Sequence, residues 1–231
     1  MGGSGLIGTL AGRLRGRRRI AAVVPLGASC RVSWQLRRHL GHDATHPFDW
    51  WIAPMRGMTR YLAELDPAKL YDPEGLEEMV VNGAAVAVRS RRYDVRLLHE
   101  FPRIAGADGT SSVAPDWRDH VAAARARHEH LLGRLRALDR PGSRILFVRH
   151  KLGIDEDDLD PRTCVADLRA VLARQFARSA MALLLVNVPG AQASRRDGIR
   201  TVFFDDPDGD GADAWRGVDA IWSRALAASG L

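Results

Sequence analysis

Lysine and cysteine are nearly missing from this chain of 231 residues, aromatic residues make up 6%, and no apolar run approaches the roughly 18 residues of a membrane span. The two cysteines, Cys30 and Cys164, show no C-x-x-C spacing, which excludes a disulfide framework and a cysteine zinc site. A reducing, cytoplasmic setting is expected. Lys69 and Lys151 are the only lysines, so the net charge of +6 rests on arginine. Arg13, Arg15, Arg17, Arg18 and Arg19 lie in an acid-free head, and removing these five charges leaves the remainder close to +1. The basic pI therefore describes the head and not the body, and no specific nucleic-acid partner is expected. These arginines follow the short apolar segment Leu6 to Leu10, the reverse of a secretory signal.

Hydrophobic residues make up 46%, enough for one full core and too few residues for two comfortable domains. The division expected is a flexible basic tail over 1–19 and a single domain over 20–231. Ile20 to Leu26 reads as a buried strand, and Val32, Leu36 and Leu40 recur at helical spacing from Arg31 to Leu40. A second helix is expected from Met55 to Leu65, a hairpin from Ala84 to Val88 and Asp94 to Leu98, and a long helix from Asp116 to Leu138. Strands at Ile145 to Val148, Ala182 to Val188 and Thr201 to Phe204 then alternate with helices at Thr163 to Phe176 and Ala214 to Ala228. Such alternation predicts an α/β fold: one three-layer, Rossmann-like domain with a mainly parallel sheet and an inserted hairpin. Ligands bind outside the carboxyl ends of the strands in such sheets, which gathers Cys30, His150, Asn187 and Asp205 toward one edge.

Val23 to Leu26 is an apolar run that stops at Gly27 and delivers Ser29 and Cys30 to the start of a helix. There, unpaired N–H groups and the positive dipole end favour thiolate over thiol and can bind an oxyanion. The competing reading is an inert, buried cysteine. A thiol nucleophile needs a base and a group that orients it. His99 and His150 each end an apolar strand, and Asp49, between Phe48 and Trp50, or alternatively Asn187, is the candidate orienter. His39 and His42 flank a basic helix end, and His120, His128 and His130 fall on a charged helix where a solvated face is expected. His128 and His130 are two residues apart, the wrong spacing for a helical zinc pair. Asp206 to Gly211 resembles the first half of a calcium loop but has Gly217 where a glutamate is required. The acidic run Asp155 to Asp158 reads as a solvated loop. No metal and no cofactor is expected.

Leu26-Gly27-Ala28-Ser29-Cys30, Pro47-Phe48-Asp49-Trp50, His99-Glu100-Phe101 and Ile145-Leu146-Phe147-Val148-Arg149, in that order, resemble a bacterial domain-of-unknown-function family described as papain-like cysteine peptidases. Trp215-Arg216-Gly217 and Trp222 add to the likeness, which spans about residues 20–225. The resemblance implies a nucleophile at Cys30, a base at His99 and an acid at Asp49; His150, Asn187 and Ser29, at the same edge, are expected to contact substrate. This chain has Glu100 where the family has aspartate. The expected function is a cofactor-independent cysteine hydrolase or transferase acting on peptide or amide acyl groups. The alternatives are a glycan or small-acyl esterase using Ser29 or Cys30, and a non-catalytic ligand-binding module.

Overall fold

The computed structural model describes residues 20–41, 44–106, 111–151, 160–188, 194–196, 199–206 and 214–230. The basic head, the acidic run and most of the calcium-like segment lie outside these residues. In chain order the elements are β1 (Ala22–Pro25), α1 (Cys30–Leu40), β2 (Trp51–Ile52), α2 (Met55–Glu64), α3 (Pro67–Leu70), β3 (Leu76–Val81), β4 (Ala84–Ser90), β5 (Val95–Leu97), β6 (Arg103–Ala105) and β7 (Ser111–Val113). There follow α4 (Val121–Arg136), β8 (Arg144–His150), α5 (Pro161–Gln175), β9 (Ala180–Val186), β10 (Ser194–Arg196), β11 (Ile199–Phe204) and α6 (Asp219–Ser229).

The fold is mixed α/β. Strands β1, β8, β9 and β11 lie side by side and parallel, with β10 antiparallel at the edge beyond β11. Parallel neighbours need crossover connections, and α5 supplies the one from β8 to β9, whereas β10 lies between β9 and β11 in the chain. Residues alternate across the pleat between two apolar clusters. Val23, Leu146, Val148 and Leu184 meet Val32 and Leu36 of α1 and Trp222 and Leu226 of α6. Val24, Ile145, Phe147, Leu183 and Leu185 meet side chains of α2, α4 and α5. This two-sided burial is why β8 and β9 read as unbroken apolar runs.

The expected hairpin is present as β4 and β5, but it is the centre of a larger antiparallel sheet ordered β2-β5-β4-β3. Asn82 and Gly83, both with positive φ, make the tight turn between β3 and β4. A third, two-stranded sheet pairs β6 with β7. Two expected helices are split. A 3-10 turn from Trp117 to His120 precedes α4, and one from Ala214 to Arg216 precedes α6, with Gly217 in a left-handed conformation between. Among the described residues no helix is long and apolar enough to cross a membrane.

Candidate functional site at the carboxyl edge of the parallel sheet

Three adjacent parallel strands end in backbone conformations that L residues rarely adopt. Gly27 and Ala28 follow β1 with φ of 68° and 82°, Lys151 follows β8 at 61°, and Asn187 follows β9 at 54°. Such residues persist where surrounding structure holds them, and they cluster at ligand sites. At Gly27 the reason is a close approach, because a Cβ would stand 3.2 Å from the carbonyl oxygen of Trp51. Arg149, fully buried at the end of β8, pins the edge by donating to the carbonyl oxygens of Leu26, Ala53 and Lys151.

These turns bring Ser29, Arg31, His150, Asn187 and Asp206 together. Ser29 is the N-cap of α1, yet its hydroxyl makes no capping bond and lies 3.4 Å from Nδ1 of His150. Nε2 of His150 faces Nη1 of Arg31 at 3.2 Å and Nδ2 of Asn187 at 3.4 Å. The asparagine cannot be flipped, because its Nδ2 donates to the Asp206 carbonyl while its Oδ1 accepts from the Asp206 N–H. A guanidinium has only donors, so Nε2 must accept and the proton of the neutral ring sits on Nδ1. His150 therefore presents an N–H toward Ser29. A nitrogen already carrying a proton cannot take one from the serine, so this arrangement is a donor site and not a serine–histidine base pair.

Arg31 is held from every side. It donates to the carbonyl oxygens of Trp215 and Ala214 at 2.8 and 2.6 Å and pairs with Oδ2 of Asp206 at 3.3 Å. Asp206 also accepts from Trp222 Nε1 at 2.7 Å and from the Val218 N–H at 2.9 Å. Arg31, His150 and Asp206 are 4%, 1% and 0% exposed, so the ion pair is a buried one with its lone pairs satisfied. Gly217 completes the clasp. A Cβ there would collide with Oδ2 of Asp206 and come within 2.9 Å of the Arg31 side chain.

The expected convergence of His150 and Asn187 at this edge is present, with Ser29 beside them. The acid, however, is Asp206. Asp205 is exposed, because one step along the chain after β11 reverses which side a residue faces. Arg31, Asp206, Gly217 and Trp222 were not among the sequence candidates, although an arginine beside the Ser29-Cys30 turn and the Trp215-Arg216-Gly217 segment were visible signals.

Cys30 opens α1 and is half-buried. Burial pushes its thiol up, partly offset by its backbone N–H, which corrects the expectation of a helix-stabilised thiolate. Among the described residues its sulfur has no histidine or carboxylate hydrogen-bond partner. Cys164 is buried in the first turn of α5, against α2.

Asp49 and His99 are placed elsewhere, around a second cavity of about 180 Å³ with Trp50, Trp51, Glu100 and His128 among its lining. Asp49 does not orient His99. Its carboxylate accepts from Ser33 Oγ, Arg37 Nη2 and the His46 N–H at 3.1, 3.1 and 3.2 Å. His99 touches the edge of the Trp50 ring, and burial followed by Arg103 lowers its pKa. His128, expected on a solvated face, is buried, stacked on Trp51 and bonded to the Tyr61 hydroxyl at 2.6 Å, and burial pushes its pKa down to about 3. Among the described residues no group of three or more His, Cys, Asp or Glu is placed to hold a metal ion. Compared with family models, curated proteins and solved structures, the chain matches none.

Proposed function

We propose that the chain binds a small oxyanion-bearing ligand, a carboxylate or an acyl group, at the carboxyl edge of its parallel sheet. The observation that carries this reading is the locked imidazole of His150. Arg31 and Asn187 occupy Nε2 as donors, so the opposite N–H points to the Ser29 hydroxyl, which is itself left free of capping duty. The N–H groups at the start of α1 add to the same donor set, since no acidic residue stands in that first turn. The acid of the cluster, Asp206, is consumed by Arg31, Trp222 and Val218 and offers nothing to a ligand. Helix-covered on both faces, the parallel sheet is read as a three-layer, Rossmann-like fold, whose ligands lie at this edge.

Nitrogen-15 NMR of the histidines during a titration with acetate tests the proposal. The expected result is an Nδ1-protonated signal for His150 that shifts on saturable binding, with both features lost in Ser29→Ala and His150→Ala. An Nε2-protonated ring, or no response to acetate, overturns it.

A second reading keeps Cys30 as a nucleophile toward peptide or amide carbonyls, as the family resemblance implies. It is favoured by the position of Cys30 next to these donors, which suit a tetrahedral oxyanion. It requires His99 to leave Trp50 and reach the thiol. Intact mass after exposure to thiol-directed acyl probes, compared with Cys30→Ala and Cys164→Ala, separates the two. A covalent adduct confined to Cys30 at neutral pH supports the hydrolase.

A further inference from the structure

The segments Pro47 to Trp50 and His99 to Glu100 play no part in the oxyanion site, yet they meet with α4 around the cavity of about 180 Å³. We infer that this cavity binds one neutral, hydroxyl-rich ring, a monosaccharide unit, through hydrogen bonds to His99 and Glu100 against a wall formed by Trp50.

Three properties of the lining converge on that ligand. The first is charge. The cavity is built from titratable groups whose burial disfavours charge in its depth. Asp49 is matched by Arg37, and burial keeps the His99 and His128 imidazoles on the neutral side and raises the Glu100 carboxyl. Arg127, solvent-exposed on α4, donates to the Glu100 carbonyl oxygen at 2.7 Å and keeps its charge in water. An isolated ion would be left poorly matched here.

The second is hydrogen-bonding capacity. Glu100 uses Oε1 to accept from Trp51 Nε1 at 3.3 Å. The buried Tyr71 hydroxyl also faces this carboxyl, and the two ring nitrogens of His99 make no hydrogen bond among the described residues. Donor and acceptor capacity thus stand side by side, which suits hydroxyls, groups that do both. The third is size. At about 180 Å³ the cavity falls below the roughly 300–1,000 Å³ of drug-sized pockets and suits a single ring, whose C–H face can lie against indole.

The test is ligand-observed NMR with the full chain and the neutral methyl hexosides of glucose, galactose and mannose, set against glucuronate and glucosamine as charged counterparts. At least one neutral hexoside is expected to bind saturably in the millimolar range, with its charged counterparts about tenfold weaker. His99→Ala is expected to weaken that binding by about fivefold or more, the loss of one hydrogen bond. Glu100→Ala is expected to weaken it further than Glu100→Gln, because the amide keeps a hydrogen-bonding group at that position. Failure of every neutral hexoside to saturate overturns the inference. So does equal or tighter binding of a charged sugar, an unaffected His99→Ala, or a folded Glu100→Gln that behaves like Glu100→Ala.

Discussion

Replacing Asp206 with alanine removes a carboxylate paired with the Arg31 guanidinium while leaving the cation in a site that is 4% exposed. Removing one member of a buried pair costs about 3–5 kcal/mol, far more than the net worth of the pair, because the survivor stays desolvated after losing that partner. In a domain of this size 1 kcal/mol corresponds to about 2–4 °C, so Asp206→Ala is expected to lower the melting temperature by roughly 6–20 °C. Arg31→Met leaves Asp206, among the described residues, with the Trp222 and Val218 donors and is expected to cost a similar amount. The double variant removes both charges, and its cost should fall about 2 kcal/mol or more short of the sum of the singles. Urea unfolding of the four proteins measures that coupling. The same series reads the site: without Arg31 the nearer of the two donors facing Nε2 is gone and Asn187 remains at 3.4 Å, so the preference of the His150 proton for Nδ1 should weaken. Strict additivity, or a loss below about 1 kcal/mol for Asp206→Ala, would refute the account of the clasp.

Gly217→Ala places a methyl group against Asp206 and Arg31 at a left-handed backbone position and is expected to cost about 2–4 kcal/mol by thermal denaturation, whereas Gly133→Ala, with open space around its Cβ, should be neutral or stabilising. His128 titrates near 3 when folded against an ordinary 6.5, so the unfolded chain binds more protons between these values and stability must fall as pH drops below 6.5. At pH 4.5 that loss is about 2–3 kcal/mol. The raised Glu100 carboxyl acts in the opposite direction, favouring the folded state as pH falls, so the His128 share is measured as the difference in pH slope between the wild type and His128→Gln. A slope unchanged in the variant would count against it. Because burial raises the Cys30 thiol, alkylation by iodoacetamide at pH 7 should be slower than for a free cysteine and should rise only above the usual thiol range, near 8.5. Fast labelling at neutral pH would instead mark an activated nucleophile.

The parallel strands and their helices were legible because two-sided burial leaves a plain trace: Ile145 to Val148 and Leu183 to Val186 are unbroken apolar runs that only a covered sheet explains. The antiparallel sheet was half hidden. Leu76-Glu77-Glu78-Met79-Val80-Val81 follows neither period, since β3 is an edge strand with a bulge between Met79 and Val80 and needs apolar residues only where β4 covers it. The expected single helix ending the chain failed at Gly217 for a tertiary reason. Helical periodicity continues through it, but the clasp on Asp206 demands a left-handed residue there.

At the site, the edge was legible and the roles were not. Topology alone brings the ends of β1, β8 and β9 together, and hence Ser29, His150 and Asn187. What His150 does once there depends on which groups face its two nitrogens, and Arg31 of α1, 119 residues away in the chain, is itself held by Asp206, which follows β11. A motif records which residues are present, whereas the direction of a proton is set by neighbours that spacing does not reveal. The same residue types, histidine beside serine with an acid near by, make a general base when the acid accepts from the far ring nitrogen. Here an arginine stands between them. Interposing that cation reverses the polarity of the ring, so the carboxylate of Asp206 acts on His150 only through Arg31, and the serine meets a donor.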